Sequence, residues 1–175
     1  MARLGEVVGS AELLVADEHS VEDFESAAPA MTVTRWPEGD VVSAAVEVLA
    51  EEAPDAGRLC RLTFDLGDPV ATRAAYVRLD RTLGKALSIS LTVRAQASPA
   101  PWLRAAIVDG NGTRYTITLT GKLESGDEWR RLRARLPDGL KPPLLWQSVY
   151  VVATEGKTST GVVDLDDLRA VILPE

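Results

Sequence analysis

The sequence predicts an all-β protein, a sandwich of two antiparallel sheets, and three observations predict it. Apolar and polar residues alternate with period two from about the twentieth residue onward, as in strands with one wet and one dry face. The runs are separated by turn-forming clusters, with no helical pattern between them. A chain of 175 residues that is 46% hydrophobic also suits one domain around one sizeable core.

The elements follow in order. Residues 2–18 carry small and acidic residues around Glu6-Val7-Val8 and Leu13-Leu14-Val15, so residues 1–18 read as a linker or an added edge strand and 19–175 as the sandwich domain. Val21-Glu22-Asp23-Phe24-Glu25-Ser26 opens the sandwich. Further strands are expected at 31–35, 41–49, 58–66, 74–79, 87–94, 102–109, 113–120, 128–136, 148–153 and 161–173. The clearest is Leu87-Ser88-Ile89-Ser90-Leu91-Thr92-Val93-Arg94, apolar at odd positions and polar at even ones. Asp109-Gly110-Asn111-Gly112 joins two runs with residues that tolerate the positive φ of a tight hairpin. Residues 43–53 are ambiguous, since their Ala, Glu and Leu content also suits a helix.

Composition narrows the function. The charge sum is 19 − 26 = −7, so nucleic acid and anionic membrane surfaces are repelled at long range. No apolar run is long enough to cross a bilayer, and the first residues lack the apolar stretch of a signal peptide. A lone cysteine, Cys60, excludes an internal disulfide and a cysteine zinc cage. The sole histidine, His19, excludes two-histidine metal motifs and argues against a triad enzyme. No catalytic residues are expected.

The opening strand with Asp23-Phe24-Glu25, then Trp36, and the closing Val163-Asp164-Leu165-Asp166-Asp167-Leu168 together resemble the two-sheet antiparallel jelly-roll, galactose-binding-like sandwich of many carbohydrate-binding modules. That resemblance implies first and last strands side by side, with an acid from each holding a structural calcium. A narrower resemblance spans roughly residues 58 to 172. Trp102-Leu103-Arg104-Ala105-Ala106-Ile107-Val108-Asp109-Gly110-Asn111-Gly112, Thr116-Ile117-Thr118-Leu119, Trp129, Arg131, Leu136-Pro137-Asp138-Gly139, Val149-Tyr150-Val151-Val152 and Gly161 to Leu168 look like the accessory domain of bacterial phosphodiester glycosidase, exopolysaccharide-related proteins. The approach Ala97-Ser98-Pro99-Ala100-Pro101 departs from the glycine-rich stretch usual there, and the catalytic domain has no counterpart in this sequence. The resemblance implies a fold and a sugar context in the cell envelope or outside the cell, without an active site.

A hard divalent cation needs six to eight oxygens at roughly 2.3–2.6 Å, which carboxylates and carbonyls at a strand crossing can supply. Glu25 and Asp166 are the first pair of calcium candidates, with Asp23, Asp164 and Asp167 as substitutes should the register slip by one residue. The alternative is that these acids are solvated strand ends. For sugar stacking, Trp146 after Lys141-Pro142-Pro143 and Trp36 beside Pro37 are the candidate platforms, against burial of Trp146 as a lid; Trp102 and Trp129 adjoin strand runs and read as sheet packing. Arg94, with Ser88, Ser90 and Thr92, and Thr118, with Thr116 and Thr120, form polar rows that offer hydrogen bonds to a glycan or are plain solvated faces. Arg131, Arg133 and Arg135 form a basic row that meets an anionic polymer, a neighbouring domain or nearby acids.

The expected function is a non-catalytic module that binds carbohydrate and is attached to a larger glycan-active protein. The rivals are a structural spacer packed on a neighbouring catalytic domain, and a small carboxylate-dependent glycoside hydrolase.

Overall fold

In a computed structural model that describes residues 17–25, 33–36, 42–50, 57–67, 71–154 and 156–173, the period-two runs become eleven strands. They are β1 (Asp17–Glu22), β2 (Val33–Trp36), β3 (Ser43–Leu49), β4 (Leu59–Asp65), β5 (Arg73–Gly84), β6 (Ala86–Ser98), β7 (Trp102–Val108), β8 (Arg114–Thr120), β9 (Gly126–Arg135), β10 (Leu144–Ala153) and β11 (Thr160–Ile172). Every pairing is antiparallel.

Two sheets result. The first has the order β3-β4-β11-β6-β9, with β1 also on β11; the second has the order β2-β5-β10-β7-β8. β11 organises the first sheet. Its half from Thr160 to Leu165 pairs with β4, and its half from Leu168 to Ile172 pairs with β1 on the same flank, while β6 runs along the other flank. A bulge at Asp166/Arg169 separates the halves, and Asp167 sits there at φ 47°. The opening and closing strands of the described chain are therefore neighbours, as the resemblance to carbohydrate-binding modules implies.

The core lies between the sheets. Leu62, Phe64, Ile89, Leu91, Val93, Val163 and Leu165 come from one inner face, and Val77, Leu103, Ile107, Val149 and Val151 from the other, all buried. Burying each such side chain is worth about 1.5–3 kcal/mol, so alternation over strands of this length is enough to fix which face turns inward.

Several expectations shift. Residues 43–49 form a strand, because Ala44, Val46 and Val48 pack on the core at every second position along the β4 edge. β5 and β10 extend to 73–84 and 144–153, well beyond the expected 74–79 and 148–153. Their paired register jumps at Leu144/Leu145 and Trp146/Ser148, and each jump breaks the alternation that marks a strand in sequence. β1 begins at Asp17, inside the stretch read as linker or edge strand; residues 1–16 lie outside the described residues. The 109–112 turn forms as expected: Gly112 has φ 80°, and the Asp109 carboxylate accepts the N–H groups of Asn111 and Thr113 at 3.0 and 2.9 Å.

Candidate functional site: the outer face of the second sheet

On β10, Val149, Val151 and Ala153 point into the core, so Ser148, Tyr150 and Val152 point outward. Strand register carries that phase across the sheet in three rows. Trp36, Ala74, Val152 and Trp102 make the first; Tyr76, Tyr150, Arg104 and Thr118 make the second; Arg78, Ser148, Ala106 and Thr116 make the third. Ala74, Ala106, Tyr150 and Val152 form an apolar cluster separate from the main core, with Tyr76 and Trp102 packed against it. Those four are themselves covered, so what this face presents to solvent is the partly buried Tyr76 and Trp102 and the exposed Trp36.

The aromatic rings are held in place. Tyr76 and Tyr150 stack with centroids 4.5 Å apart and planes 28° off parallel. The Arg104 guanidinium carbon lies 4.5 Å from the centre of the Trp102 ring, and that of Arg114 lies 5.6 Å from the Tyr76 ring. Burial, then the neighbouring Tyr150, pushes the Tyr76 hydroxyl above its ordinary value, with Arg114 and Arg104 opposing the rise. It stays a neutral donor and acceptor at pH 7. Ala74 and Ala106 are covered, at 1% and 0% exposure, whereas Trp36 stands 59% exposed on the edge strand. Beyond Trp102 the face opens into a hollow of about 290 Å³ lined by Pro99, Pro101, Val152, Lys122 and Lys157. The partly exposed rings of Tyr76, Trp102 and Trp36, with the Thr116 and Thr118 hydroxyls on the same face, suit a pyranose, whose apolar C–H face stacks while its hydroxyls hydrogen-bond.

Thr118 and Trp36, both expected in a ligand site, lie on this face. Two other expectations need correction. Trp146 is fully buried at 0% exposure, and its indole N–H donates to the Ser148 carbonyl at 3.2 Å; the jump in register after it turns its ring inward, so it offers no platform. Arg94 lies on the outer face of the first sheet, where it is committed to Asp164 at 2.7 Å and stacks 4.8 Å from the Trp129 ring centre. The rest of that face is likewise self-neutralised: Arg131 meets Asp167 at 2.6 Å and Arg133 meets Glu18 at 3.2 Å. Tyr76, Tyr150, Trp102 and Arg104 were not among the expected ligand residues.

The acids proposed for calcium divide. Asp164 accepts four guanidinium hydrogen bonds, from Arg61 at 2.7 and 3.0 Å and from Arg94 at 3.0 and 2.7 Å, so a cation there would face two positive charges. It does not fit a metal ligand. Asp23 accepts the Glu25 N–H at 3.1 Å, Glu25 accepts the Arg58 N–H, and buried Asp166 accepts the Asp167 N–H at 2.7 Å. Because Leu165 pairs with Cys60, Arg58 and Asp166 belong to the same end of the β4–β11 pair, and Glu25 arrives there from β1. Among the described residues no three His, Cys, Asp or Glu side chains converge to hold a metal. The Cys60 thiol is buried and pushed up to about 12 by burial first, then by Glu22 and Asp164, so it is a neutral core group at pH 7.

No protein-family model and no curated protein matches this chain. Solved structures do. A carbohydrate-binding module of the β-sandwich superfamily superposes with a TM-score of 0.62 at 14% identity, over 89% of this chain and 62% of that one. The family 11 carbohydrate-binding module from Clostridium thermocellum, in complex with a β-1,3-1,4-mixed-linked tetrasaccharide, gives 0.54 at 15% identity, over 92% of this chain and 99% of that one. The CBM22-1 xylan-binding domain from Paenibacillus barcinonensis Xyn10C gives 0.50 at 18% identity, covering 91% and 97%. This chain thus shares the sandwich fold of those carbohydrate-binding modules.

Proposed function

We propose that this chain is a non-catalytic carbohydrate-binding module whose binding surface is the outer face of the second sheet. The observation that carries the proposal is the stacked Tyr76–Tyr150 pair continued by Trp102 on a face turned away from the core. In this reading a glycan chain lies across β5, β10 and β7, with sugar rings on the aromatics and hydroxyls on Thr116, Thr118 and the Tyr76 hydroxyl. One end of the glycan enters the hollow beyond Trp102. Tethering such a site to a glycan-active protein of the cell envelope or exterior raises the effective concentration of that partner at its polymer. The likeness to the phosphodiester glycosidase accessory domain over residues 58 to 172 names one such parent, and the structural neighbours do not bear on it.

Affinity electrophoresis tests the site. Retardation in gels cast with soluble polysaccharides is expected for the chain and lost in Trp102→Ala, with the melting temperature of the variant confirming its fold. A variant retarded as strongly as the parent places the sugar elsewhere. A chain retarded by no polysaccharide favours a spacer packed on a neighbouring domain.

Calcium is a separate proposal, resting on Glu25 and Asp166 at the β4–β11 end and requiring backbone carbonyls to complete the oxygen shell. Its test is thermal: a cation that binds only the folded chain raises the melting temperature, and chelator reverses the rise. A melting temperature indifferent to both removes the proposal.

A further inference from the structure

The two outer faces treat their arginines differently. On the first sheet Arg61, Arg94, Arg131, Arg133 and Arg169 each meet a carboxylate, mostly at 2.6–3.2 Å. On the second sheet Arg78 is paired with Asp80 at 2.9 Å and Lys122 with Glu124 at 2.9 Å, but Arg104, Arg114 and Lys157 have no carboxylate partner among the described residues. Two of these three, Arg104 and Arg114, lie against the aromatic rings, and the third lines the hollow at the end of the same face. The Arg104 Nε is buried without a hydrogen-bond partner, so that guanidinium is partly desolvated and has no counter-charge. Beside it, the Ser148 hydroxyl is also buried and unpartnered. In a chain of net charge −7, with acids to spare, leaving these cations unmatched beside a stacking platform is a pattern that calls for an anionic ligand.

Resting on the reading of this face as the glycan site, we infer that its ligand is an acidic polysaccharide whose hexuronate carboxylates are taken by Arg104 and Arg114, with Lys157 meeting the chain at the hollow. Carboxylate is the anion that the geometry suits. A hexuronate carries it on the ring edge, so a sugar ring set against the partly exposed Trp102 or Tyr76 brings the carboxylate beside guanidinium groups that are themselves laid on those rings. The planar donor edge of an arginine then meets it in the two-bond fashion that a point charge lacks. The net negative charge of the protein opposes the approach only weakly, because at physiological salt distant charges are screened over about 8 Å while these contacts are direct.

The test compares each of polygalacturonate, alginate and hyaluronan with its carboxyl-reduced counterpart, by calorimetry on the intact chain. At least one acid polymer is expected to bind roughly tenfold or more tighter than its reduced form, and R104Q/R114Q is expected to abolish that preference while retaining residual binding of the reduced form. R114Q alone, at an exposed edge-strand side chain that rests on the Tyr76 ring, is expected to lose part of the preference while the fold, read from the melting temperature, is retained. W102A is expected to lose both polymers. Equal affinity for acid and reduced forms overturns the acidic-ligand inference and leaves the sugar face standing. Binding of dextran sulfate as tight and as arginine-dependent as that of the uronates overturns the carboxylate assignment. No binding to any of the three acid polymers overturns the inference, and retardation by neutral polysaccharides then decides whether the sugar face survives.

Discussion

Replacing Asp164 by Asn tests the ion-paired centre of the first sheet. The carboxylate is 5% exposed and receives four guanidinium hydrogen bonds across the row Glu47, Arg61, Asp164, Arg94. Removing one member of a buried ion pair costs about 3–5 kcal/mol, because the remaining charges stay desolvated and unmatched. Here Arg61 and Arg94 keep 23% of their side-chain surface in water, which places the loss near the lower end, at about 3 kcal/mol. For a domain of this size each kcal/mol moves the midpoint by about 2–4 °C, so Asp164→Asn is expected to melt roughly 6–12 °C lower. Calorimetry with matched urea titrations reads both quantities. The companion variant R61M/D164L/R94M removes the charges together and is expected to recover most of the loss, since well-packed apolar replacements of a buried pair are often neutral or stabilising. A loss for Asp164→Asn below about 0.5 kcal/mol, or one that appears only when calcium is present, refutes the ion-pair account.

Three other outcomes follow from the same structure. Trp146→Ala empties a fully buried site and is expected to cost about 3–5 kcal/mol, whereas Trp36→Ala, on an exposed edge, is expected to stay within about 0.5 kcal/mol of the parent in urea unfolding. Cys60, a neutral thiol in the core, is expected to resist a disulfide reagent in the native chain and to react fully in denaturant; rapid native labelling contradicts its burial. Burial alone would raise the Asp167 carboxyl, but hydrogen bonds from Arg169 and Arg131 outweigh it and hold the group below its ordinary 3.8. A depressed acid stabilises the fold above its unfolded value and loses that contribution as pH falls through the folded value, so the stability gap between the parent and Asp167→Asn is expected to be constant near neutrality and to close below about pH 4.

The sandwich was legible because alternation and turn chemistry act locally. Leu87 to Arg94 states its phase in every residue, and the pairing of first and last strands came from the family resemblance carried by the segments around Phe24 and Leu165. The sugar face was harder to read. In Val149-Tyr150-Val151-Val152 both faces of the strand are apolar, so alternation cannot say which one turns inward, and Tyr150 gives no sign of being outside. Trp102 reads as packing for the same reason; its two-residue spacing from Arg104, which puts both on one side of β7, was the available signal. Trp146 follows Leu144-Leu145, where no alternation exists, and only the bulge decides its direction. Arg94 was placed on the correct outer face, but that Asp164 stands opposite it is a matter of long-range register that neighbouring residues do not encode.

The sharpest single measurement is backbone and indole chemical-shift mapping of the labelled chain titrated with a polysaccharide fragment that retards it. Saturable shifts gathered on Tyr76, Tyr150, Arg104, Thr118 and the Trp102 indole, with Arg94, Thr92 and Trp129 silent, are the predicted result. Shifts gathered instead on the first sheet, or spread over both without saturation, contradict it.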